Sequence, residues 1–149
     1  MKQGTILLVE DSSDDVELAL LAFDRNRIEN KVVVAWDGME ALDYLFGMGK
    51  HAGRDIQDLP VVVLLDLKLP KLTGLEVLKR IRADERTRLL PVVVLSTSQA
   101  ESDVRESYQN GANSYIAKPM SYDRFAEVIR HFAEYWLGVN ESIPRPGKA

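Results

Sequence analysis

Val61-Val62-Val63-Leu64-Leu65-Asp66 is a run of five apolar residues closed by a carboxylate, and its reading decides the fold. Its apolar positions are continuous instead of alternating, as in a strand buried on both faces of a parallel sheet beneath covering helices. It is far short of the ~20 residues that a membrane span needs. Outward along the chain four more runs take the same part: Thr5 to Val9, Lys31 to Ala35, Val92 to Leu95 and Ser114 to Ala117. The last is weaker and suits a sheet edge.

Segments of helical spacing separate the runs. Ser12-Ser13-Asp14-Asp15 offers hydroxyl and acidic caps to a first helix that aligns Val16, Ala19, Leu20 and Phe23. Gly38 to Phe46 aligns Met39 with Leu42 and Phe46, and Gly74 to Arg82 aligns Leu75 and Leu78 with Arg82 beside Val77 and Ile81. Ser102 to Asn110 is the most polar, pairing Val104 with Tyr108 ahead of a stop at Gly111. The final helix carries a broad stripe of Phe125, Val128, Ile129, Phe132, Tyr135 and Trp136. Strand and helix alternating five times predict a (βα)5 three-layer α/β sandwich with right-handed crossovers, one domain over residues 5–137. Gly47 to Pro60 reads as a long loop without structure of its own, and residues 138–149 as a tail too short for an output domain.

Composition narrows the function. A chain of 149 residues without cysteine has room for a core but no disulfide framework, thiolate metal site or cysteine nucleophile. A net charge of −4 disfavours nucleic acid and anionic lipid as partners. No signal-peptide pattern precedes Thr5, so a cytoplasmic protein without membrane or nucleic-acid contacts is expected.

In an open parallel sheet, function gathers beyond the carboxyl ends of the strands. Glu10-Asp11 follows the first run, Asp66 the third, Ser96-Thr97-Ser98 the fourth and Lys118-Pro119 the fifth. In the flavodoxin-like strand order 2-1-3-4-5 the first and third strands are neighbours, so the three carboxylates converge. Like charges that close resist ionisation unless a cation lies among them, and hard oxygens without His or Cys suit Mg²⁺. Singly, each residue has a plainer reading: the acids as loop or cap groups, Ser96 as a capping hydroxyl, Lys118 as solvated, Tyr115 as core, His51 and His131 as surface groups. Joint placement at the strand ends favours a site.

Leu7-Leu8-Val9-Glu10-Asp11, Leu65-Asp66-Leu67-Lys68-Leu69-Pro70 with Gly74, Val94-Leu95-Ser96, and Gly111-Ala112-Asn113-Ser114-Tyr115-Ile116-Ala117-Lys118-Pro119 occur in this order. On these motifs the chain, from about Thr5 to Leu137, resembles the receiver domain of two-component response regulators. The resemblance implies that Asp66 accepts a phosphoryl group from a sensor histidine kinase. It implies that Asp11, with Glu10 behind it, holds Mg²⁺ together with Asp66 and the backbone carbonyl of Lys68. Ser96 then binds a phosphoryl oxygen, Lys118 pairs with the phosphoryl group, Ser96 and Tyr115 form the switch, and Lys118-Pro119 is a cis peptide. Ser96 stands where Thr is commoner and Met120 where Phe is frequent. The long Gly47 to Pro60 segment and the aromatic last helix resemble stand-alone receivers paired with phytochrome-type sensor kinases.

Chemistry supports those roles, since a carboxylate can trap a phosphoryl group whose charge is neutralised. The leading expectation is a response regulator, not an enzyme, whose phosphorylation switches a protein-interaction surface. One alternative is a phosphorelay intermediate that passes the group to a phosphotransfer histidine. Another is an aspartyl-phosphate phosphatase, which would carry a second acid where this chain has Lys68. Flavin binding fails, because Glu10 and Asp11 occupy the loop that would cradle its phosphate. The last helix also carries more apolar surface than one sheet face can cover. A fold-back of Ile143-Pro144 is one covering; a two-fold homodimer through Phe132, Tyr135, Trp136 and Leu137 is the favoured one, because a tail with Pro144, Pro146 and Gly147 suits a reaching arm.

Overall fold

The computed structural model describes residues 3–144. The apolar runs become β1 (Ile6–Val9), β2 (Val32–Ala35), β3 (Val62–Leu65), β4 (Val92–Ser96) and β5 (Ser114–Ala117). Between and after them lie α1 (Ser13–Arg25), α2 (Gly38–Phe46), α3 (Gly74–Ala83), α4 (Glu101–Gln109) and α5 (Tyr122–Ala133). The strands form one parallel sheet in the order β2-β1-β3-β4-β5, the flavodoxin-like order expected. Alternate strand residues feed two cores. Leu7, Val9, Val63, Leu65, Val92 and Val94 pack with α2 and α3, while Ile6, Leu8, Val62, Leu64, Val93 and Leu95 pack with α1 and α5. This explains the continuous apolar runs, since both faces of each central strand are covered.

Helix starts follow from side chains that accept the free amides of the first turn. Ser12 caps α1, Asp37 caps α2 and Ser121 caps α5, while Thr73 and Glu76 form a reciprocal capping box at α3. Two helix faces differ from expectation by about one residue. On α1 Ala22 is buried and Leu20 exposed, and on α2 Ala41 and Leu45 are buried while Met39 faces outward. An apolar stripe is wider than the contact it makes, so spacing alone leaves its margins open.

Gly47 to Pro60 is not structureless. A 3₁₀ turn at Gly49–His51 opens it, and Arg54 then organises the rest. Its guanidinium reaches the carbonyls of Tyr44, Leu45, Asp55 and Asp58, and lies 4.2 Å from the Tyr44 ring centroid. One arginine thus supplies the hydrogen bonds that a helix or strand would otherwise provide. His51 packs edge-on against Tyr44 at 5.2 Å and is half-buried, so it is not the surface group expected; His131 is exposed.

The end of the last helix also departs from the pattern. Glu134–Val139 is π-helical, closed by the Asn140 amide donating to the Tyr135 carbonyl at 2.7 Å. The wider turn rotates Leu137 inward to full burial beside Phe132, which is 3% exposed. Phe132 and Leu137 therefore belong to the chain's own core and are not the interface surface expected of them. Tyr135 and Trp136 remain toward the outside, ring edge to ring face at 5.0 Å. Ser142, Ile143 and Pro144 run beneath the amino ends of the strands, lining a cleft of about 430 Å³ with Leu59, Pro60, Leu89 and Pro91. Pro146 and Gly147 lie outside the described residues.

Candidate functional site

Register brings the strand ends together. Val9 pairs with Leu65, so Glu10 and Asp66 leave the sheet side by side, and the Asp66 amide donates back to the Val9 carbonyl at 3.1 Å. Ser96 pairs with Ala117, and the Lys118 amide donates to the Ser96 carbonyl at 2.8 Å. Adjacent parallel strands thereby deliver an acid pair, a hydroxyl and an ammonium to one edge.

Glu10, Asp11 and Asp66 each present a carboxylate oxygen, all within 4.8 Å of one another. Glu10 is 4% exposed and divides its two oxygens. Oε2 accepts from the Asp11 and Ser12 amides at 3.0 and 3.2 Å; Oε1 accepts from Lys118 Nζ at 2.6 Å. Burial pushes the Glu10 pKa up to about 7 in spite of the Lys118 hydrogen bond, and the Asp66 charge adds to the rise. Burial likewise raises Asp66, against the pull of the Lys118 charge and of the Leu67 amide, which donates to Oδ1 at 2.8 Å. Burial disfavours the Lys118 ammonium, yet the facing carboxylates outweigh it and hold its pKa above the usual value.

This donor set consists of hard oxygens crowded enough to resist ionisation, the arrangement that a divalent cation relieves. The cluster therefore fits Mg²⁺. Lys68 lies exposed in the loop that follows Asp66. That loop is closed by Gly74, whose amide donates to the Leu67 carbonyl at 2.8 Å. A Cβ at Gly74 would stand 2.2 Å from the Asp66 carbonyl oxygen.

Ser96 and Tyr115, the expected switch pair, meet on one loop. Ser96 is buried and its Oγ accepts from the Ser98 amide at 3.1 Å, while the Tyr115 hydroxyl donates to the Ser98 carbonyl at 2.7 Å. Ser98 Oγ donates to Asp103 in α4, tying the loop to the next helix.

Two features differ from the expected site. No peptide bond among the described residues is cis, so Lys118-Pro119 is trans, the isomer that even X-Pro bonds ordinarily favour. Asp15 joins the site unforeseen, with Oδ2 at 3.3 Å from Lys118 Nζ. As a sequence feature it reads as a cap acid. No local spacing signals its role, because its partner Lys118 lies 103 residues away along the chain. Glu10, Asp15 and Lys118 line a cleft of about 280 Å³, together with Leu18 of α1 and Tyr122 and Phe125 of α5.

Comparison with known proteins agrees with this geometry. A family model described as the response regulator receiver domain matches residues 6–130. The chain is 44% identical over 144 residues to the "Probable methanogenesis regulatory protein FilR2" of Methanothrix harundinacea, covering 97% of this chain and 88% of that one. The structure of a phosphorylated cyanobacterial phytochrome response regulator, RcpA, matches with a TM-score of 0.88 at 37% identity, over 95% of this chain and 99% of that one. A Mn²⁺-bound form of response regulator Rcp1 matches with a TM-score of 0.86 at 32% identity, with coverage of 95% and 99%.

Proposed function

This chain belongs to the response regulator receiver domain family and acts as a phosphorylation-dependent regulator, and on that premise we propose that Asp66 is its phosphoryl acceptor. The observation that carries the proposal is the convergence of Glu10, Asp11 and Asp66 within 4.8 Å, with Lys118 bonded to Glu10 and Ser96 one strand away. Glu10, Asp11, Asp66 and the Lys68 carbonyl would hold Mg²⁺, which when bound neutralises charge on the incoming group. The Leu67 amide orients the Asp66 carboxylate, one of whose oxygens bonds to phosphorus as the phosphorus–nitrogen bond of a phosphohistidine breaks, the imidazole keeping the electron pair. Lys118 and Ser96 then meet the phosphoryl oxygens.

The phosphoryl group, carrying roughly −2 where the carboxylate carried −1, draws the Ser96 hydroxyl away from the Ser98 amide. Tyr115, hydrogen-bonded to the same residue, turns with the loop, and α4 follows through the Ser98 to Asp103 bond. The output is an altered protein-binding surface and not a released product. Lys68 in place of an acid two residues past Asp66 supports this regulatory reading over that of a phosphatase. A histidine kinase donor that draws on ATP supports a cytoplasmic location. No helix of the described residues is long and apolar enough to cross a membrane.

Likeness to a phytochrome response regulator supports a phytochrome-type sensor histidine kinase as donor. Label on such a kinase should pass to this chain at least tenfold faster than label on a kinase with an unrelated sensor, followed by timed gel autoradiography. Equal rates from both would reject the pairing. The exposed Tyr135 and Val139, 48% and 69% accessible beside Trp136, support a homodimer through this end of the chain. Sedimentation equilibrium at micromolar concentration should give twice the chain mass for the parent and the single mass for Val139→Asp. A single mass for the parent would reject the dimer.

A further inference from the structure

Lys118 bonds the Glu10 oxygen that the two backbone amides leave free. Its Nζ lies 2.6 Å from Glu10 Oε1 and 3.3 Å from Asp15 Oδ2, and among the described residues these two carboxylates are its ion-pair partners. Asp66 acts on it through charge but is not among them. The lysine, Glu10 and Asp15 all border the cleft between α1 and the start of α5, whereas Asp11 and Asp66 do not. In this resting arrangement the ammonium is bonded to Glu10 and Asp15 and not to Asp66.

The two partners differ in what they can follow. Glu10 touches both sides, with one oxygen among the cluster's amides and the other on Lys118, so a lysine moving toward Asp66 can keep that contact. Asp15 sits on the first turn of α1, its backbone amide held by Ser12 Oγ at 3.3 Å, and its place is set by the helix. A lysine that swings toward Asp66 must leave it.

Taking Asp66 as the acceptor, we propose that Asp15 is a positioning residue that holds Lys118 in the resting state and competes with the phosphoryl group for it. The pair then stabilises the unphosphorylated conformation alone and opposes the switch. An interaction that favours one of two states shifts their ratio by its own free energy and no more. Asp15 is 43% exposed, and ion pairs of that kind are weak, so the shift is a few-fold and not orders of magnitude.

Beryllofluoride, a non-covalent mimic of the phosphoryl group, tests this in the presence of Mg²⁺ by calorimetric titration of the full chain. Asp15→Asn should bind it about three times more tightly than the parent. Asp14→Asn removes the same charge from the same turn without touching an ion pair of Lys118, and should leave the affinity within about 1.5-fold by the same reasoning. With Lys118→Met already present, adding Asp15→Asn should no longer tighten binding. A parent that binds the mimic while Asp15→Asn binds no more tightly, or no more tightly than Asp14→Asn, overturns the role of Asp15 and leaves the acceptor in place. A parent that fails to bind the mimic overturns the acceptor assignment and this role together.

Discussion

Asp66→Asn is expected to abolish phosphoryl acceptance. After incubation with acetyl phosphate and Mg²⁺, intact-mass spectrometry should show one added phosphoryl group on the parent and none on the variant. The amide that replaces the carboxylate has no anionic oxygen to bond to phosphorus. Glu10 is buried with both oxygens engaged, by Lys118 and by two backbone amides. A loss of at least about a hundredfold in labelling rate corresponds to roughly 2.7 kcal/mol of barrier, the scale expected when a nucleophile is removed. The fold should survive, because removing one charge of three relieves the repulsion that helps to raise Glu10. Labelling of the variant at the parental rate would put the acceptor elsewhere.

Gly74→Ala separates helix propensity from packing. Gly74 opens α3, and by propensity alone alanine would stabilise a helical position by about 1 kcal/mol. The added Cβ would stand 2.2 Å from the Asp66 carbonyl oxygen, 2.7 Å from Leu67 Cα and 3.0 Å from the Asp66 carbonyl carbon. All three are backbone atoms, so no flexible side chain can yield. α3 cannot retreat cheaply either, since Val77, Leu78 and Ile81 are fully buried against the sheet. A loss of about 3 kcal/mol in urea denaturation is expected, with labelling slowed at least roughly tenfold as the Asp66 loop is pushed aside. A variant more stable than the parent and labelled normally would show that the loop moves freely.

The strands and the acid cluster were legible because the runs of β1, β3 and β4 are buried on both faces and lead directly into carboxylates or a hydroxyl. Val61 to Leu65 followed by Asp66 admits little else. The parts that escaped share a cause, which is that side chains override the period. Arg54 builds the segment from Gly47 to Pro60 through carbonyls, a pattern that no spacing of apolar residues announces. Leu137 turns inward because one π-turn changes the residue count per turn, while an apolar stripe in sequence assumes a constant one. Asp15 looks the same in sequence whether it caps a helix or holds a lysine. Lys118 directly follows the last run and so falls at the site edge, yet its resting partners lie 103 and 108 residues away along the chain and no local pattern shows them.

Borohydride reduction converts an aspartyl phosphate to homoserine, so peptide mass spectrometry of the labelled and reduced chain reads the acceptor directly. Homoserine is expected at position 66 and at no other aspartate, in samples labelled with Mg²⁺ and not in samples labelled with a chelator. Homoserine at Asp11 or Asp15, or labelling of Asp66 undiminished by the chelator, would contradict a metal-assisted acceptor at the end of β3.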